Sequence, residues 1–288
     1  MQRDNEVYAG ILYQKEIDFV AIRRGEKMIT AKATEHLTGI LLEGEYQDFY
    51  EMVESIYRMT GLDDDHYAPF WSIKNRLLGI CYDIRHAFQG DRSVKLVENG
   101  VNDELMKWHS MVMPQNNLHY AVEIIFPEAV FVALTVSEIY SSSSVYYGNR
   151  ARKLQKKEES KKIFVNDYAD YIRDKAMLDL LSSVILSAFA QVIGDEEFEK
   201  IMRLRQKNYS FDYMDYITQY VDKCNIDYLK TVPEKRKDKI RNIARRIITK
   251  PEAYKKMKHD LEISAAIYRC SVHDLSDPKL KYPDEIEW

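Results

Sequence analysis

The sequence predicts an α+β fold that is mostly helical, with a small sheet in the N-terminal half and a helical C-terminal half. Three observations support this class. Only 10 Gly and 7 Pro occur in 288 residues, which indicates few tight turns. Segments that alternate apolar and polar residues, as half-buried strands do, lie in the first half of the chain. Long segments with helical periodicity fill the second half.

The N-terminal half contains three predicted strands and four predicted helices. The strands are TGILLEGEY, SVKLVENG and NLHYAVEIIF, and the helices are DFYEMVESIYRM, WSIKNRLLGICYDIRHAFQ, NDELMKWHSMV and PEAVFVALTVSEIYSS. Asp48 is expected to cap the first helix, because a carboxylate can accept hydrogen bonds from the free N–H groups of a first turn. Gly90 is expected to end the second helix, since glycine adopts a positive φ without strain.

Five further helices are predicted in the C-terminal half. They are DYADYIRDKAMLDLLSSVILSAFAQVIG, DEEFEKIMRLRQK, DYMDYITQYVDK, PEKRKDKIRNIARRIIT and PEAYKKMKHDLEISAAIYR. Gly194 is expected to end the first of these, and Asp195 to cap the second. The serine run 141–144 and the basic run 150–162 predict a linker or loose segment near 141–162, within one compact domain of residues 28–288.

The composition is that of a soluble globular protein. Hydrophobic residues make up 45% of the chain and charged residues 31%, which excludes a disordered protein. The cysteines Cys81, Cys224 and Cys270 form no CxxC pair, so we expect no disulfide framework and a cytoplasmic location. The most apolar run, YAVEIIFPEAVFVALTVSEIY, contains Glu123 and Glu128, and we therefore expect a core strand and helix and no membrane partner.

Four segments resemble a known family. They are HLTGILLEGEYQDFYEMVESIY, RLLGICYDIRHAFQGDRSVKLVENG, YITQYVDKCN and YPDEIEW, and they are similar to an uncharacterised bacterial family, domain of unknown function 6904. The resemblance covers residues 28–288, and its most specific part lies between Asp83 and Asp91. It implies a bacterial cytoplasmic protein. It supplies no activity, so no catalytic residue is transferred from it.

The segment from Arg76 to Arg92 is the strongest candidate for a catalytic site. On a helix, residues three, four and seven apart share a face, so Arg76, Asp83 and His86 are expected to converge, with Asp91 and Arg92 folding back near the helix end. A carboxylate beside an imidazole is the minimum for general acid–base catalysis. It is equally a common way to satisfy a half-buried histidine, and this interpretation is preferred. It predicts that Asp83→Ala and His86→Ala each lower the melting temperature by more than about 6 °C.

Metal binding has weaker support in the sequence. The run DDDH at 63–66 and the pair His119 and Glu123 carry side chains that can bind metals, but no HExxH or comparable spacing occurs. The sequence also lacks a glycine-rich phosphate loop, a GxSxG motif and a Walker motif. We therefore predict no metal and no cofactor.

The basic helices near the C-terminus are the second candidate site. Residues 235–258 contain eleven basic residues against Asp238 and Glu252. Side chains that are expected to point away from the apolar face of the first helix are Lys235, Lys239, Arg245 and Arg246. Such a surface could contact phosphates, and a tyrosine stripe at helical spacing (Tyr209, Tyr213, Tyr216 and Tyr220) could stack bases. A solvated charged face and a buried tyrosine cluster are the alternatives.

Two functions are consistent with these patterns. The preferred hypothesis is a non-catalytic binding or interaction protein, with a protein partner or a second copy of the chain. The alternative is a nucleic-acid-interacting effector or an enzyme that uses a pocket around Asp83 and His86.

Residues 1–27 are predicted to be an N-terminal extension outside the fold. Met28 follows RRGEK, which a purine-rich string of the form of a bacterial ribosome-binding site can encode. Translation that begins at Met28 would leave residues 1–27 out of the native protein.

Overall fold

The computed structural model describes residues 29–61, 70–145, 147, 168–208 and 213–288. Strands and helices are mixed in the first half of these residues, and the second half is helical. The predicted fold class, α+β and mostly helical, is confirmed. Residues 1–27 lie outside the described residues, so their predicted place outside the fold stays a prediction.

Four strands form one antiparallel sheet in the N-terminal half. They are β1 (Ile29–Ala33), β2 (Gly39–Glu45), β3 (Ser93–Glu98) and β4 (Asn116–Ile125), in the spatial order β1-β2-β4-β3. The three predicted strands are confirmed. Strand β1 was not predicted, although its five residues ITAKA alternate apolar and polar side chains. The pairing of Ile29 with Gly44 and of Ala33 with Ile40 defines the strand.

Nine α-helices have both ends within the described residues. They are α1 (Tyr46–Thr60), α2 (Trp71–Phe88), α3 (Asp103–Trp108), α4 (Phe126–Thr135), α5 (Tyr168–Ile193), α6 (Asp195–Lys207), α7 (Thr218–Leu229), α8 (Pro233–Thr249) and α9 (Glu252–Tyr268), with 3₁₀ turns at Val136–Ile139 and Val272–Asp274. The predicted caps of two helices are wrong. Because β2 leads into α1 without a loop, Glu45 is the N-cap and Asp48 lies in the first turn. Gly194 is the N-cap of α6, and Asp195 is its first residue.

The core lies between one face of the sheet and the helices. On that face of β2 and β4 the side chains of Ile40, Leu42, Val122 and Ile124 are buried. Helices α1, α2 and α4 pack against these strands, and α5 packs against β1, α1 and α4. The alternation of the sheet thus separates a buried apolar face from a polar face, as an antiparallel sheet with one covered side requires.

A buried carboxylate connects α5 to α1. Asp174 is fully buried, and it accepts hydrogen bonds from Arg58 Nε at 2.7 Å, Arg58 Nη2 at 2.8 Å, Ser55 Oγ at 3.0 Å and the Tyr147 hydroxyl at 2.7 Å. The two Arg58 bonds are bidentate, which is the strongest geometry for an arginine–carboxylate pair.

Helix α5 is long and apolar enough to cross a membrane by length and composition alone, with a mean hydropathy of 1.8 over its most apolar 18 residues. One such helix does not establish a membrane span, because the core helix of a water-soluble protein passes the same test, and 39% of the stretch is buried within the fold. Its first half carries Asp174, which is paired with Arg58 of α1.

The predicted linker near 141–162 lies only partly in the described residues. Residues 140–145 are helical, and the Ser143 hydroxyl is buried and donates to the carbonyl oxygen of Met59 at 2.7 Å. Ser143 therefore contacts the end of α1, and the loose or linker segment near 141–162 stays a prediction. The basic run 150–162 lies outside the described residues.

Candidate functional site

The end of α2 folds back as predicted. Gly90 has a φ of 86°, and the chain turns so that Asp91 and Arg92 lie beside the last turns of the helix. Arg92 Nη2 donates to Asp83 Oδ1 at 2.8 Å, and His86 Nδ1 lies 2.9 Å from Asp91 Oδ2. The side chains of all four residues are partly exposed.

The predicted convergence of Arg76, Asp83 and His86 is not observed. Asp83 pairs with Arg92 and His86 pairs with Asp91, so the carboxylate does not orient the imidazole. Arg76 points from the opposite end of α2 into the protein interior. Helical spacing placed the three side chains on related faces, but the turn after Gly90 supplied closer partners to two of them. A catalytic role for these residues stays a prediction.

Arg76 is the centre of a buried polar cluster. Its side chain is 10% exposed, and it donates to Thr218 Oγ1 at 2.7 Å, Asp222 Oδ1 at 2.7 Å and Glu128 Oε2 at 3.3 Å. Burial acts to lower the pKa of Arg76, but the charges of Glu128 and Asp222 outweigh it and raise the pKa. One guanidinium therefore joins α2, α4 and α7.

Two further residues extend this cluster to the C-terminal segment 275–288. Asn225 Nδ2 donates to Glu128 Oε2 and to the Tyr282 hydroxyl, each at 3.0 Å. The Tyr282 hydroxyl donates to Asp222 Oδ1 at 2.8 Å. These bonds hold the C-terminal segment along α7, although it has no regular secondary structure.

A cleft of 360 Å³ lies beside the cluster, between α2, β4, the start of α4 and the C-terminal segment. The residues that line it are Gly79, Ile80, Asp83, Arg92, Glu123, Ile124, Ile125, Glu128 and Trp288. Gly79 leaves space here, because a Cβ at this position would meet only Glu128 Oε1, at 3.9 Å. The Glu128 carboxylate, 18% exposed, is thus reached from the cleft on one side and held by Arg76 on the other.

The cleft runs along a stretch of β4 that has no neighbouring strand on one side within the described residues. Strand β3 begins at Ser93, opposite Ala121, whereas β4 continues to Ile125 and pairs with β2 over residues 122–125. Among the described strands, these four residues have a neighbour on one side only. Their outward backbone groups therefore border the cleft and can bond to a ligand.

Trp288 forms one wall of the cleft. A Cβ on Gly39 would stand 2.7 Å from Trp288 Cζ3 and 2.2 Å from the carbonyl oxygen of Ile124. The indole therefore lies directly over the glycine that begins β2. The Thr38 hydroxyl donates to the carbonyl oxygen of Glu287, and this contact fixes the segment just before the tryptophan.

The lining of the cleft is negatively charged. Three carboxylates, of Asp83, Glu123 and Glu128, face one guanidinium, of Arg92, which gives a formal charge of −2 when all are ionised. Burial raises the pKa of Glu128 above 4.5, although the nearby charge of Arg76 lowers it. Burial also raises the pKa of Glu123, against the charge of Arg92. Perturbed carboxylates in a cleft mark a candidate site.

The metal-binding patterns of the sequence do not form a site in the described residues. His119 lies on the polar face of β4, where Nδ1 is 3.5 Å from Glu43 Oε1 and Nε2 is 3.8 Å from Glu45 Oε1. Across the described ranges, no group of three or more His, Cys, Asp or Glu side chains is placed to hold a metal ion. The run DDDH at 63–66 lies outside them.

The four side chains of the predicted basic surface do not all face solvent without a partner. Lys235 is exposed and Lys239 is half-buried on α8, but Arg245 Nη2 donates to Glu197 Oε2 of α6 at 2.8 Å. Arg246 forms a side-chain hydrogen bond with Tyr220. Two of the four predicted cations therefore have partners within the fold, and phosphate contact by this surface stays a prediction.

The tyrosine stripe belongs to the core. Tyr213, Tyr216 and Tyr220 are each about 1% exposed or less, and Tyr216 contacts Phe131 with a centroid distance of 5.0 Å. Stacking on a base needs an accessible ring, so these three cannot serve that role in this fold. Tyr209 lies outside the described residues. The predicted helix DYMDYITQYVDK begins only at Thr218, since the packing of Tyr213 and Tyr216 holds the preceding residues in a turn.

Several residues of the cleft were missed by the sequence analysis. Glu128 was used only as an interruption of an apolar run, Glu123 as another interruption and as a possible metal ligand beside His119, and Gly79 as part of an ordinary helix. A glycine in the middle of a helix costs about 1 kcal/mol relative to alanine, and an acid inside an apolar strand is costly to bury. A glycine within a helix and an acid within an apolar strand both indicate a candidate site. No sequence pattern joins them to Trp288.

The comparison with known families agrees with the resemblance found in the sequence. A family model described as Domain of unknown function (DUF6904) matches residues 29–288. The chain belongs to this family. No curated protein and no solved structure matches it, so membership of the DUF6904 family brings no activity with it. The matched region of the DUF6904 family contains every residue that lines the cleft.

Proposed function

We propose that this protein is a non-catalytic binding protein whose cleft takes a ligand with a positively charged group. The observation that carries the proposal is the excess of carboxylates in the cleft, three against the single guanidinium of Arg92. The 360 Å³ of the cleft falls within the range of about 300–1,000 Å³ of small-molecule sites.

The apolar walls fit the same class of ligand. Ile80, Ile124 and Ile125 can pack against the aliphatic stem of an alkylammonium or alkylguanidinium group. The indole of Trp288 attracts cations through the negative face of its ring. The free edge of β4 can bond to amide groups of a peptide that carries such a side chain.

Catalysis has less support than binding. None of the described residues that line the cleft is Ser, Thr, Cys, Lys or His, so the usual side-chain nucleophiles other than carboxylates are missing there. The enzyme alternative uses Asp83 and His86, and these two side chains have different partners. Nucleic-acid contact through Lys235 and Lys239 is the weaker alternative, because the other two predicted cations, Arg245 and Arg246, have partners within the fold.

The proposal also concerns location. We expect the protein in the bacterial cytoplasm, and the state of its cysteines supports this expectation. Cys81, Cys224 and Cys270 are all free, and the first two are buried. Disulfides are rare where thiols are kept reduced.

Isothermal titration calorimetry with agmatine and cadaverine tests the binding function. We expect a dissociation constant below about 1 mM, which corresponds to about 4 kcal/mol of binding free energy. Glutarate, an anion of similar length, should not bind. Affinity should increase as the pH rises above 4.5, because a cation binds the ionised form of Glu128 and Glu123 and binding therefore releases protons.

The variants Glu123→Gln and Glu199→Gln form a matched pair for this experiment. Glu123 lines the cleft, whereas Glu199 is an exposed residue of α6 that pairs only with Arg203 in the same helix. Glu123→Gln should weaken binding at least about tenfold, or about 1.4 kcal/mol, and Glu199→Gln should leave it unchanged. Equal binding of agmatine and glutarate, or no binding of either cation, would contradict the proposal.

A further inference from the structure

A second cleft lies between α7, α9 and the first half of the C-terminal segment 275–288. Its volume is 720 Å³, which falls within the range of about 300–1,000 Å³ of small-molecule sites. Among the described residues, it shares no lining residue with the cleft beside Arg76, the first cleft. It is therefore a separate candidate site.

The floor of the second cleft is aliphatic. Ile226 of α7 is only 3% exposed, and Met257 and Leu261, one turn apart on α9, are half-buried and pack against the core. Leu275 and Leu280 of the C-terminal segment line the same cleft. Methionine has a flexible side chain that adapts to the shape of a bound group. An unbranched hydrocarbon chain can therefore pack along this floor.

Three lysines that line the second cleft have no carboxylate partner. They are Lys230 at the end of α7, Lys256 near the start of α9 and Lys279 in the C-terminal segment. All three are exposed, and no carboxylate of the described residues lies within ion-pair distance of them. Lys255, the neighbour of Lys256, is paired with Glu252 instead. Three parts of the chain thus bring unpaired positive charges to one cleft, where an anionic group can interact with them.

The carboxylates of the second cleft limit the charge of its ligand. Asp227 Oδ2 lies 3.8 Å from Lys223 Nζ, and Asp277 Oδ1 accepts a hydrogen bond from the backbone N–H of Lys279 at 2.9 Å. Asp260 is the third carboxylate. Four lysines and three aspartates give the lining a formal charge of +1 when all are ionised. A monoanion balances this charge, whereas the three carboxylates repel a dianion more strongly.

We propose that the second cleft binds an aliphatic monocarboxylate, with its carboxylate near the three unpaired lysines and its hydrocarbon chain on the floor formed by Ile226, Met257 and Leu261. The ligand is a free molecule and not a membrane surface, because Ile226 lies below the exposed lysines, where a single chain can reach it. The proposal does not depend on the binding function of the first cleft, which takes the opposite charge.

Isothermal titration calorimetry of the full chain with sodium decanoate tests this site. We expect one decanoate to bind per chain, with a dissociation constant below about 0.1 mM. Octanoate should bind about tenfold more weakly, because two fewer methylene groups are buried. Octanol has the same chain length as octanoate and no charge, and it should bind more weakly still. Absence of decanoate binding, or equal affinities for octanol and octanoate, would overturn the proposal.

Two triple variants form a matched pair for this experiment. One replaces the unpaired lysines of the second cleft, by Lys230→Gln, Lys256→Gln and Lys279→Gln. The other replaces exposed lysines that do not line it, by Lys207→Gln, Lys235→Gln and Lys255→Gln. Both lower the net charge by the same amount, and the fold should tolerate both because all six side chains are exposed. The first should weaken decanoate binding at least about tenfold and the second less than about twofold. An equal effect of the two variants contradicts the proposal.

Two further measurements separate this site from the first cleft and from a membrane surface. Glu123→Gln, which alters the first cleft, should leave decanoate binding unchanged, and agmatine should not displace decanoate. Decanoate binding without agmatine binding would support this proposal and contradict only the function of the first cleft. Phosphatidylglycerol vesicles should not sediment the protein. Displacement of decanoate by agmatine, or sedimentation with vesicles without decanoate binding, would show that the second cleft does not have this ligand.

Discussion

At the scale of single residues, burial decides which charged side chains matter for stability. Asp83, His86, Asp91 and Arg92 form pairs at the protein surface, with side-chain exposures between 28% and 56%. Exposed pairs of this kind contribute about 0–1 kcal/mol. Arg76 is a buried charged residue of the segment from Arg76 to Arg92. Its loss would leave the carboxylates of Glu128 and Asp222 without their shared partner.

Arg76→Ala should therefore destabilise the protein far more than Asp83→Ala or His86→Ala. Removing one side of a buried ion pair costs about 3–5 kcal/mol, and each kcal/mol lowers the melting temperature by about 2–4 °C in a domain of this size. Differential scanning fluorimetry should show a loss of about 6–20 °C for Arg76→Ala and of less than about 4 °C for the other two. A loss above 6 °C in Asp83→Ala, as the sequence predicted, would restore a structural role to that pair.

Gly79→Ala should stabilise the fold and weaken ligand binding. Alanine is favoured over glycine in a helix by about 1 kcal/mol, and its Cβ would lie 3.9 Å from Glu128 Oε1, an ordinary contact. The melting temperature should rise by about 2–4 °C, while the methyl group narrows the cleft. Gly39→Ala is the contrasting variant and should destabilise the fold, because its Cβ would collide with the backbone of Ile124. A Gly79→Ala variant with full affinity for agmatine would show that the ligand does not approach this wall.

Glu128→Gln should flatten the pH dependence of stability. Burial raises the pKa of Glu128 above 4.5, so the folded protein holds this proton more tightly than the unfolded chain. The contribution of the group to stability is then fully present below pH 4.5 and is lost as the pH rises through the raised pKa. Urea unfolding of both proteins should show Glu128→Gln gaining relative to the wild type between about pH 4.5 and neutral pH. A relative loss at neutral pH would mean that the charge of Arg76 outweighs the burial of Glu128.

At the scale of elements, polar clusters fix how the helices pack. Apolar burial is not directional, so it specifies the position of helix α5 less sharply than a fully paired buried polar group does. Asp174 is such a group, because Arg58, Ser55 and Tyr147 all converge on its two oxygens. The polar cluster around Arg76 fixes the packing of α2, α4 and α7 in the same way.

Asp174→Ala should weaken the docking of α5 on α1. It leaves the Arg58 guanidinium, which is 14% exposed, without its bidentate partner, at a cost of about 3–5 kcal/mol. Urea denaturation should show that loss in the free energy of unfolding. Glu199→Ala removes an exposed partner of Arg203 and should change the free energy by less than about 1 kcal/mol. A similar small change in Asp174→Ala would mean that α5 is held by apolar packing alone.

At the scale of the whole molecule, the core closes within the described residues. Ile29, the first residue of β1, is 1% exposed and pairs with Gly44. The sheet, its helices and the C-terminal segment are joined by contacts that need no residue before Met28, such as the hydrogen bond of the Tyr228 hydroxyl to the carbonyl oxygen of Leu37.

A chain that begins at Met28 should therefore fold like the full chain. We expect its melting temperature to lie within about 2–4 °C of that of residues 1–288, a difference of at most about 1 kcal/mol. A larger loss of stability on truncation would make residues 1–27 part of the fold.

Most of the strands and helices, and the class of the fold, follow from local patterns in the sequence. Local periodicity is a property of consecutive residues, so three of the four strands and the long helices could be read directly from it. The turn at Gly90 could also be predicted, because a positive φ depends on a single residue. Strand β1 was missed although ITAKA alternates, and its pairing with β2 defines it. The late start of α7 could not be predicted, since the packing of Tyr213 and Tyr216 decides it.

The contacts between side chains depend on how the helices and strands pack in three dimensions. Arg76, Glu128, Asp222 and Tyr282 are far apart in the sequence and form one cluster, whereas Arg76 and Asp83 share a helix and have different partners. The cleft is built in the same way, from a glycine in α2, two acids at β4 and α4, and a tryptophan 160 residues or more beyond these acids. Periodicity indicates which face of a helix or strand is polar. It does not indicate which polar group of another element will pair with that face, because the pairing depends on the free energy of burial and on the distances between charges in the folded protein.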